Sequence, residues 1–248
     1  MSATAENFDP ARFPRRLNLG SGNDLRPGYL NVDMHAWQHP DLVADVCKLD
    51  MLPAGYYEEI VAQDVLEHLP RTATKRVLAH WNGLLAMGGK LILRVPDPIG
   101  LANLLSRPDC QLIAQQESLI QCLFGTQAYS GDFHFTAFTR PILEHYLAVT
   151  GFALEEIEAR DGWLYDVVAR KNAQATVSAD DEFGDLVTVP RDEDFVRECY
   201  RRILRREPEE AGCAYFVKML ESGGILRTGV IQALSGSAER AALVPSKG

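Results

Sequence analysis

Two glycines flank a serine at Gly20-Ser21-Gly22, directly after the apolar residues Leu17 and Leu19, and a carboxylate, Asp33, closes the next apolar run, Tyr29 to Val32. A backbone that turns at glycines can approach a ligand with no Cβ in the way. An acid at the carboxyl end of the neighbouring strand can accept hydrogen bonds from both hydroxyls of a ribose. The spacing narrows the ligand. A dinucleotide site wants Gly-x-Gly-x-x-Gly with an acid about 20 residues further on, whereas here Leu25 takes the place of the third glycine and Asp33 follows Gly20 too soon for a full helix between them. The expectation is a ligand with a ribose and no pyrophosphate.

Such residues need a sheet to hold them, and the chain supplies its strands in order. Leu42 to Ala44 reads as a third strand running into Asp45 and Val46, with Asp50-Met51 as a competing pair. Glu59 to Asp64 reads as a central strand that leaves Gln63 and Asp64 at its carboxyl end, where open α/β sheets bind ligands. Residues 72–85 carry Val77, Leu78, Trp81, Leu84 and Leu85 at helical spacing, and Gly88-Gly89 is the expected helix cap before a strand from Lys90 to Asp97. Residues 99–127 are helical again, either a lid or substrate wall or extra core packing. A loop follows with glycines, aromatics and His134, and Thr139 and Pro141 open a helix over 140–150. Two strands, 153–159 and 163–170, close as a hairpin at Asp161-Gly162. Strands alternating with helices imply an α/β fold with a doubly wound, mostly parallel sheet.

The run Leu17-Asn18-Leu19-Gly20-Ser21-Gly22 through Asn31-Val32-Asp33 resembles the first two motifs of class I S-adenosylmethionine-dependent methyltransferases, closest to a compact bacterial group whose first strand reads Leu-Asn-Leu-Gly-Cys-Gly. Asp64-Val65-Leu66-Glu67-His68-Leu69 is similar to the motif after a central strand common in small-molecule methyltransferases, and the helix, double glycine and strand ending in Pro96-Asp97 are a third match to the family. The resemblance covers roughly residues 14 to 171 and implies a Rossmann-like sheet of seven strands. It also implies S-adenosylmethionine as cofactor. Gly20, Ser21 and Gly22 would meet its methionine end, Asp33 the ribose with Met34 beside it, Asp45 and Val46 the adenine, and Gln63 and Asp64 the cofactor-facing floor. Glu67 and His68 would begin the next helix. His134, then His68, then Asp97 are the expected bases if the acceptor must lose a proton; a histidine that merely ties its own loop together is the alternative for the first two. Most class I enzymes carry an acid where this chain has Asn18, the residue expected to meet the methionine amino group.

Composition bounds the rest. The 248 residues are 46% hydrophobic and 24% charged, enough for one α/β domain and a smaller one. A formal charge of −9 argues against a nucleic-acid partner, since phosphate affinity rests on clustered Lys and Arg. The Arg201-Arg202 and Arg205-Arg206 pairs lie among glutamates and read as a solvated helix face. Neither a signal peptide nor a run of about 18–20 apolar residues is expected to place the chain in a membrane. Five cysteines without a Cys-x-x-Cys pair suit reduced thiols in the cytoplasm. His35 and His39 lie in a loop with Pro40 and no third ligand nearby, so no metal is expected.

Residues 172–191 turn polar and acidic and read as a linker; residues 192–243 read as a small helical domain. The stretch Tyr200-Arg-Arg-Ile-Leu-Arg-Arg-Glu-Pro-Glu-Glu-Ala-Gly212 resembles a helical domain of unknown function, related to phycobilisome linkers, that is appended to bacterial glycan-modifying enzymes and surface repeat proteins. The expectation is a methyltransferase acting on a small acceptor, with O-methylation of a sugar or surface-glycan precursor favoured and a protein partner assigned to the helical domain. The alternative is a non-catalytic binding or scaffold protein.

Overall fold

The apolar runs on either side of the Gly-Ser-Gly turn form adjacent parallel strands, β1 (Arg16–Leu19) and β2 (Leu30–Asp33), paired from Leu17 with Leu30 to Leu19 with Val32. The chain continues through β3 (Leu42–Val43), β4 (Tyr57–Gln63), α1 (Thr74–Leu84), β5 (Leu85–Pro96), α2 (Pro98–Leu105), α3 (Ile113–Phe124), α4 (Arg140–Val149), β6 (Phe152–Arg160) and β7 (Leu164–Lys171). This computed structural model describes residues 9–129, 131–175 and 183–243. The chain divides into two units, residues 1–176 and 177–248.

The first unit is built on one seven-stranded sheet of order β3-β2-β1-β4-β5-β7-β6. β1 to β5 run parallel, and β7 inserts antiparallel between β5 and β6. It is a doubly wound, Rossmann-like sheet with the seven strands that the sequence resemblance implied. Leu17, Leu19, Leu30, Ile60, Leu91 and Leu93 are fully buried, as strands covered on both faces require. The order reverses at β1, whose neighbours are β2 and β4, so the crevice at the carboxyl ends of these strands is where a ligand belongs.

No helix separates β1 from β2; turns fill residues 20–29, as the short spacing implied. The glycine cap expected for α1 is not there. α1 ends at Leu84, and Gly88 and Gly89 lie inside β5, where the register against β4 jumps from Tyr57–Leu85 to Glu59–Lys90. The double glycine makes this irregularity, for a Cβ on Gly89 would sit 2.9 Å from the Ala86 carbonyl oxygen. The helix end is satisfied from afar instead. The buried Lys171 ammonium donates to the carbonyls of Asn82 at 2.7 Å and Leu85 at 2.8 Å, placing a cation at the negative end of α1.

In the second unit α5 (Asp192–Cys199) runs on into a π turn over Tyr200–Leu204, followed by α6 (Glu210–Glu221), α7 (Arg227–Ser235) and α8 (Ala238–Leu243). Phe195, Val196, Cys199, Ile203, Val230 and Ile231 form its core. The expected linker is not all linker. Phe183 and Leu186 are buried in this core, and the Arg227 guanidinium donates to the carbonyls of Val187 and Pro190 and to Asp192. The acidic run from Ser178 to Glu182 lies outside the described residues.

Candidate functional site

A cavity of about 490 Å³ opens at the carboxyl ends of β1, β2 and β4. Its first wall is the turn after β1. Gly20 has φ +62°, and a Cβ there would come within 2.6 Å of Val65 Cγ2, so glycine is demanded both by conformation and by space. Gly22 has φ +48° with nothing near its Cβ position, which keeps the backbone open to the cavity. The Gly22 amide donates to Asp33 Oδ2 at 2.9 Å, and the His35 amide to Asp33 Oδ1 at 2.8 Å. Two amides thus hold the carboxylate and leave it lone pairs for a ligand. Ser21 Oγ is buried without a partner.

Asn18 also lines the cavity, and its role is visible only in three dimensions. Its amide donates to the Asp24 carbonyl at 2.7 Å and to Asn31 Oδ1 at 3.0 Å. Asn31 Oδ1 accepts the Arg26 amide at 2.8 Å, and Asn31 in turn donates to Asp41. This network pins the turns that stand where other folds of the type use a helix. Arg26 then reaches across to Gln63 Oε1 at 2.6 Å. Neither Arg26 nor Asn31 and Asp41 stood out in the sequence, because their partners are paired across strands and turns.

Asp45 and Val46 line the cavity and Asp50 does not, which separates the two competing pairs. Met34, Gln63 and Asp64 line it too. Asp64 holds φ +55°, a left-handed conformation uncommon outside glycine and often found at ligand sites. Burial pushes its carboxyl above the ordinary range, against the pull of Arg94, itself paired with Asp166 at 2.8 Å. His35, Trp37 and Tyr129 form an aromatic trio with ring centroids 5.4 to 5.7 Å apart, of which His35 and Tyr129 reach the cavity.

The three expected bases separate. His68 lines the cavity. His134 does not; it stands against His68, edge to face, with ring centroids 4.6 Å apart. Asp97 is also off the cavity and caps α2, accepting the Ile99 amide at 3.0 Å. Burial holds both imidazoles below their ordinary pKa, and for His134 the neighbouring His68 adds to the effect. Glu67 and His68 do not begin a helix. They belong to one 3₁₀ turn, Leu66–His68, and α1 starts only at Thr74. Glu67 is 1% exposed, and burial pushes its carboxyl up to about 8. Its carbonyl oxygen accepts the amide of Phe135 at 2.8 Å, docking the loop 125–139 beside the cavity. That loop, through Tyr129 and Gly131, forms the outer wall. The helices α2 and α3, expected either as a lid or substrate wall or as extra core packing, are absent from the lining, and α3 buries no residue.

A family described as a domain of unknown function (DUF4214) matches residues 173–244, which take in α5 to α8. No curated protein matches the chain. Among solved structures, a possible exported protein from Bordetella parapertussis is 18% identical over 65% of this chain and 63% of its own, with TM-score 0.46. The 1,6-didemethyltoxoflavin-N1-methyltransferase of Burkholderia thailandensis, solved with 1,6-didemethyltoxoflavin and S-adenosylhomocysteine, is 14% identical over 66% of this chain and 73% of its own, with TM-score 0.43. An S-adenosylmethionine-dependent methyltransferase from Mesorhizobium loti is 18% identical over 64% of this chain and 91% of its own, with TM-score 0.45. This chain therefore spans less than two thirds of the Bordetella protein's length.

Proposed function

We propose that the chain is an S-adenosylmethionine-dependent methyltransferase acting on a small acceptor. The observation that carries this reading is the lining of one cavity at the sheet's reversal point by Gly20, Ser21, Gly22, Asp33, Asp45, Val46, Gln63 and Asp64. The orphaned Ser21 hydroxyl and the open backbone at Gly22 fit a polar ligand that comes close to the turn. Asp33 keeps lone pairs for the two ribose hydroxyls, and Asp45 with Val46 offers an acceptor and an apolar edge for the adenine. Asn18 spends both amide hydrogens on Asp24 and Asn31, so what it can still offer the cavity is its carbonyl oxygen. That is an acceptor for the methionine ammonium, as the usual acid would be.

When bound, S-adenosylmethionine supplies a sulfonium methyl already activated for in-line displacement. The chain's own residues have to align donor and acceptor and keep water out. Tyr129 and Gly131 stand where an acceptor would be walled in; His35 and His68 both line the cavity, and among the bases expected from the sequence His68 is the one placed there to receive the proton of a hydroxyl. O-methylation of a sugar or surface-glycan precursor is favoured; its support is the kind of enzyme to which such helical domains are appended. We assign a protein partner to the helical unit on the same ground. The five free thiols fit a reducing compartment such as the cytoplasm.

Titration calorimetry with S-adenosylmethionine and S-adenosylhomocysteine tests the reading. Saturable binding of both at one site per chain is expected, with none of a nicotinamide dinucleotide. Absence of binding in a folded protein overturns it. Binding without methyl uptake by any acceptor would instead favour the non-catalytic alternative.

A further inference from the structure

We infer that Glu67, His68 and His134 form a binding site for one divalent cation of the zinc class, which fastens the loop 125–139 to the turn after β4. Each residue offers one ligand atom, and these atoms all lie within 4.8 Å of one another. Glu67 Oε2, His68 Nδ1 and His134 Nδ1 are all buried with no hydrogen-bond partner. Glu67 is almost wholly enclosed. Three buried polar atoms this close together and without a partner are costly as they stand.

A neutral imidazole has one nitrogen with a lone pair, and with Nδ1 as that nitrogen in both rings the two histidines and Glu67 present three acceptors to one small space. A water has only two hydrogens to give, and a protonated Glu67 only one, so neither satisfies that set at once. A cation does.

The donor set selects the ion. Two imidazoles and one carboxylate suit zinc and its neighbours, and leave a coordination position open. Around a tetrahedral zinc the donors stand about 3.4 Å apart, which small side-chain rotations can reach from the present separation. Glu67 and His68 lie on one side of the contact and His134 on the other, so the ion would clamp a loop that already docks through the Phe135 amide and the Glu67 carbonyl. A cation and a proton on His68 Nδ1 exclude each other. Metal loading would therefore end any role of His68 as a base.

Zinc binding at these three residues can be measured without methyl transfer. The full chain, stripped of metal and equilibrated with Zn²⁺, is expected to retain one ion per chain by mass spectrometry of the metal. Co²⁺ in its place should give the visible absorption of a low-coordinate site. Hydrogen exchange of the 125–139 amides should slow on loading. Glu67→Gln and His134→Ala should each weaken Zn²⁺ binding by more than the roughly tenfold that loss of an outer partner costs. Circular dichroism checks that each variant folds, with His68→Gln held as a third variant should one fail. No retained zinc in the folded parent protein, or unchanged affinity in the folded variants, overturns the site. Titration with S-adenosylmethionine on the same samples keeps this outcome distinct from the fate of the cofactor reading.

Discussion

The backbone N–H of Gly22 donates to Oδ2 of Asp33 at 2.9 Å, so the turn after β1 is tied to the carboxylate that ends β2. One side chain thereby both shapes the cavity and faces into it. Asp33→Ala should lower affinity for S-adenosylmethionine by at least about tenfold, the scale of one charged hydrogen bond lost. It should also cost about 1–3 kcal/mol of stability, because the Gly22 and His35 amides lose their acceptor. Calorimetry and urea unfolding measure the two separately; unchanged affinity would remove Asp33 from the ribose.

An acid at position 18, as most class I methyltransferases carry, should harm this chain. Asn18→Asp replaces an amide that donates twice with a carboxylate facing the Asp24 carbonyl and Asn31 Oδ1. A loss of about 1–3 kcal/mol is expected from the acceptors left unpaired. A variant as stable as the parent in urea would mean that the network does not hold the turns.

The two glycines of the turn should respond unequally. Gly20→Ala meets both a left-handed backbone and the Val65 side chain, whereas Gly22→Ala meets only the backbone. The first should cost about 2–4 kcal/mol and the second about 1–2. Thermal unfolding of the pair, side by side, gives the order; equal melting points would contradict it.

His80 should make stability fall on acidification. Its Nε2 accepts the Leu49 amide at 3.2 Å, so the folded ring is neutral. Burial lowers its pKa, with Arg76 acting the same way and Asp50 opposing. A depressed folded value means that the stabilisation is present above the unfolded pKa of about 6.5 and is lost as pH drops below it, by at most about 1.4 kcal/mol per unit. His80→Gln should flatten that part of the profile in urea unfolding between about pH 7 and pH 5.

Strands were readable because they are apolar runs bounded by glycine, proline or acid, and the sheet follows from their alternation with helices. Local patterns misled where a distant partner decides. Gly88-Gly89 looks like a helix cap, but Lys171 caps the helix and the glycines serve the irregularity in β5. Most of the cavity's lining was legible because those residues sit at or just beyond strand ends. The outer wall was not, since Tyr129 comes from a loop whose path depends on docking against Glu67, and His134 of the same loop, expected first among the bases, stands outside the cavity. Phe183 and Leu186 hid beside an acidic run, in a segment too short to show a period.

Among the residues lining the cavity are four aspartates, Asp24, Asp33, Asp45 and Asp64, against a single arginine, Arg94. Such a lining draws in positive charge. In the proposed reaction the donor enters as a sulfonium cation and leaves as a neutral thioether, so turnover itself erases the attraction. The site would then distinguish fuel from spent product by field rather than by shape, and hold the spent form more loosely. Raising ionic strength should weaken S-adenosylmethionine binding more than S-adenosylhomocysteine binding, since both keep the zwitterionic amino-acid end and only the first carries the extra sulfonium charge for salt to screen. A constant affinity ratio from low to high salt would show that the aspartates serve geometry only.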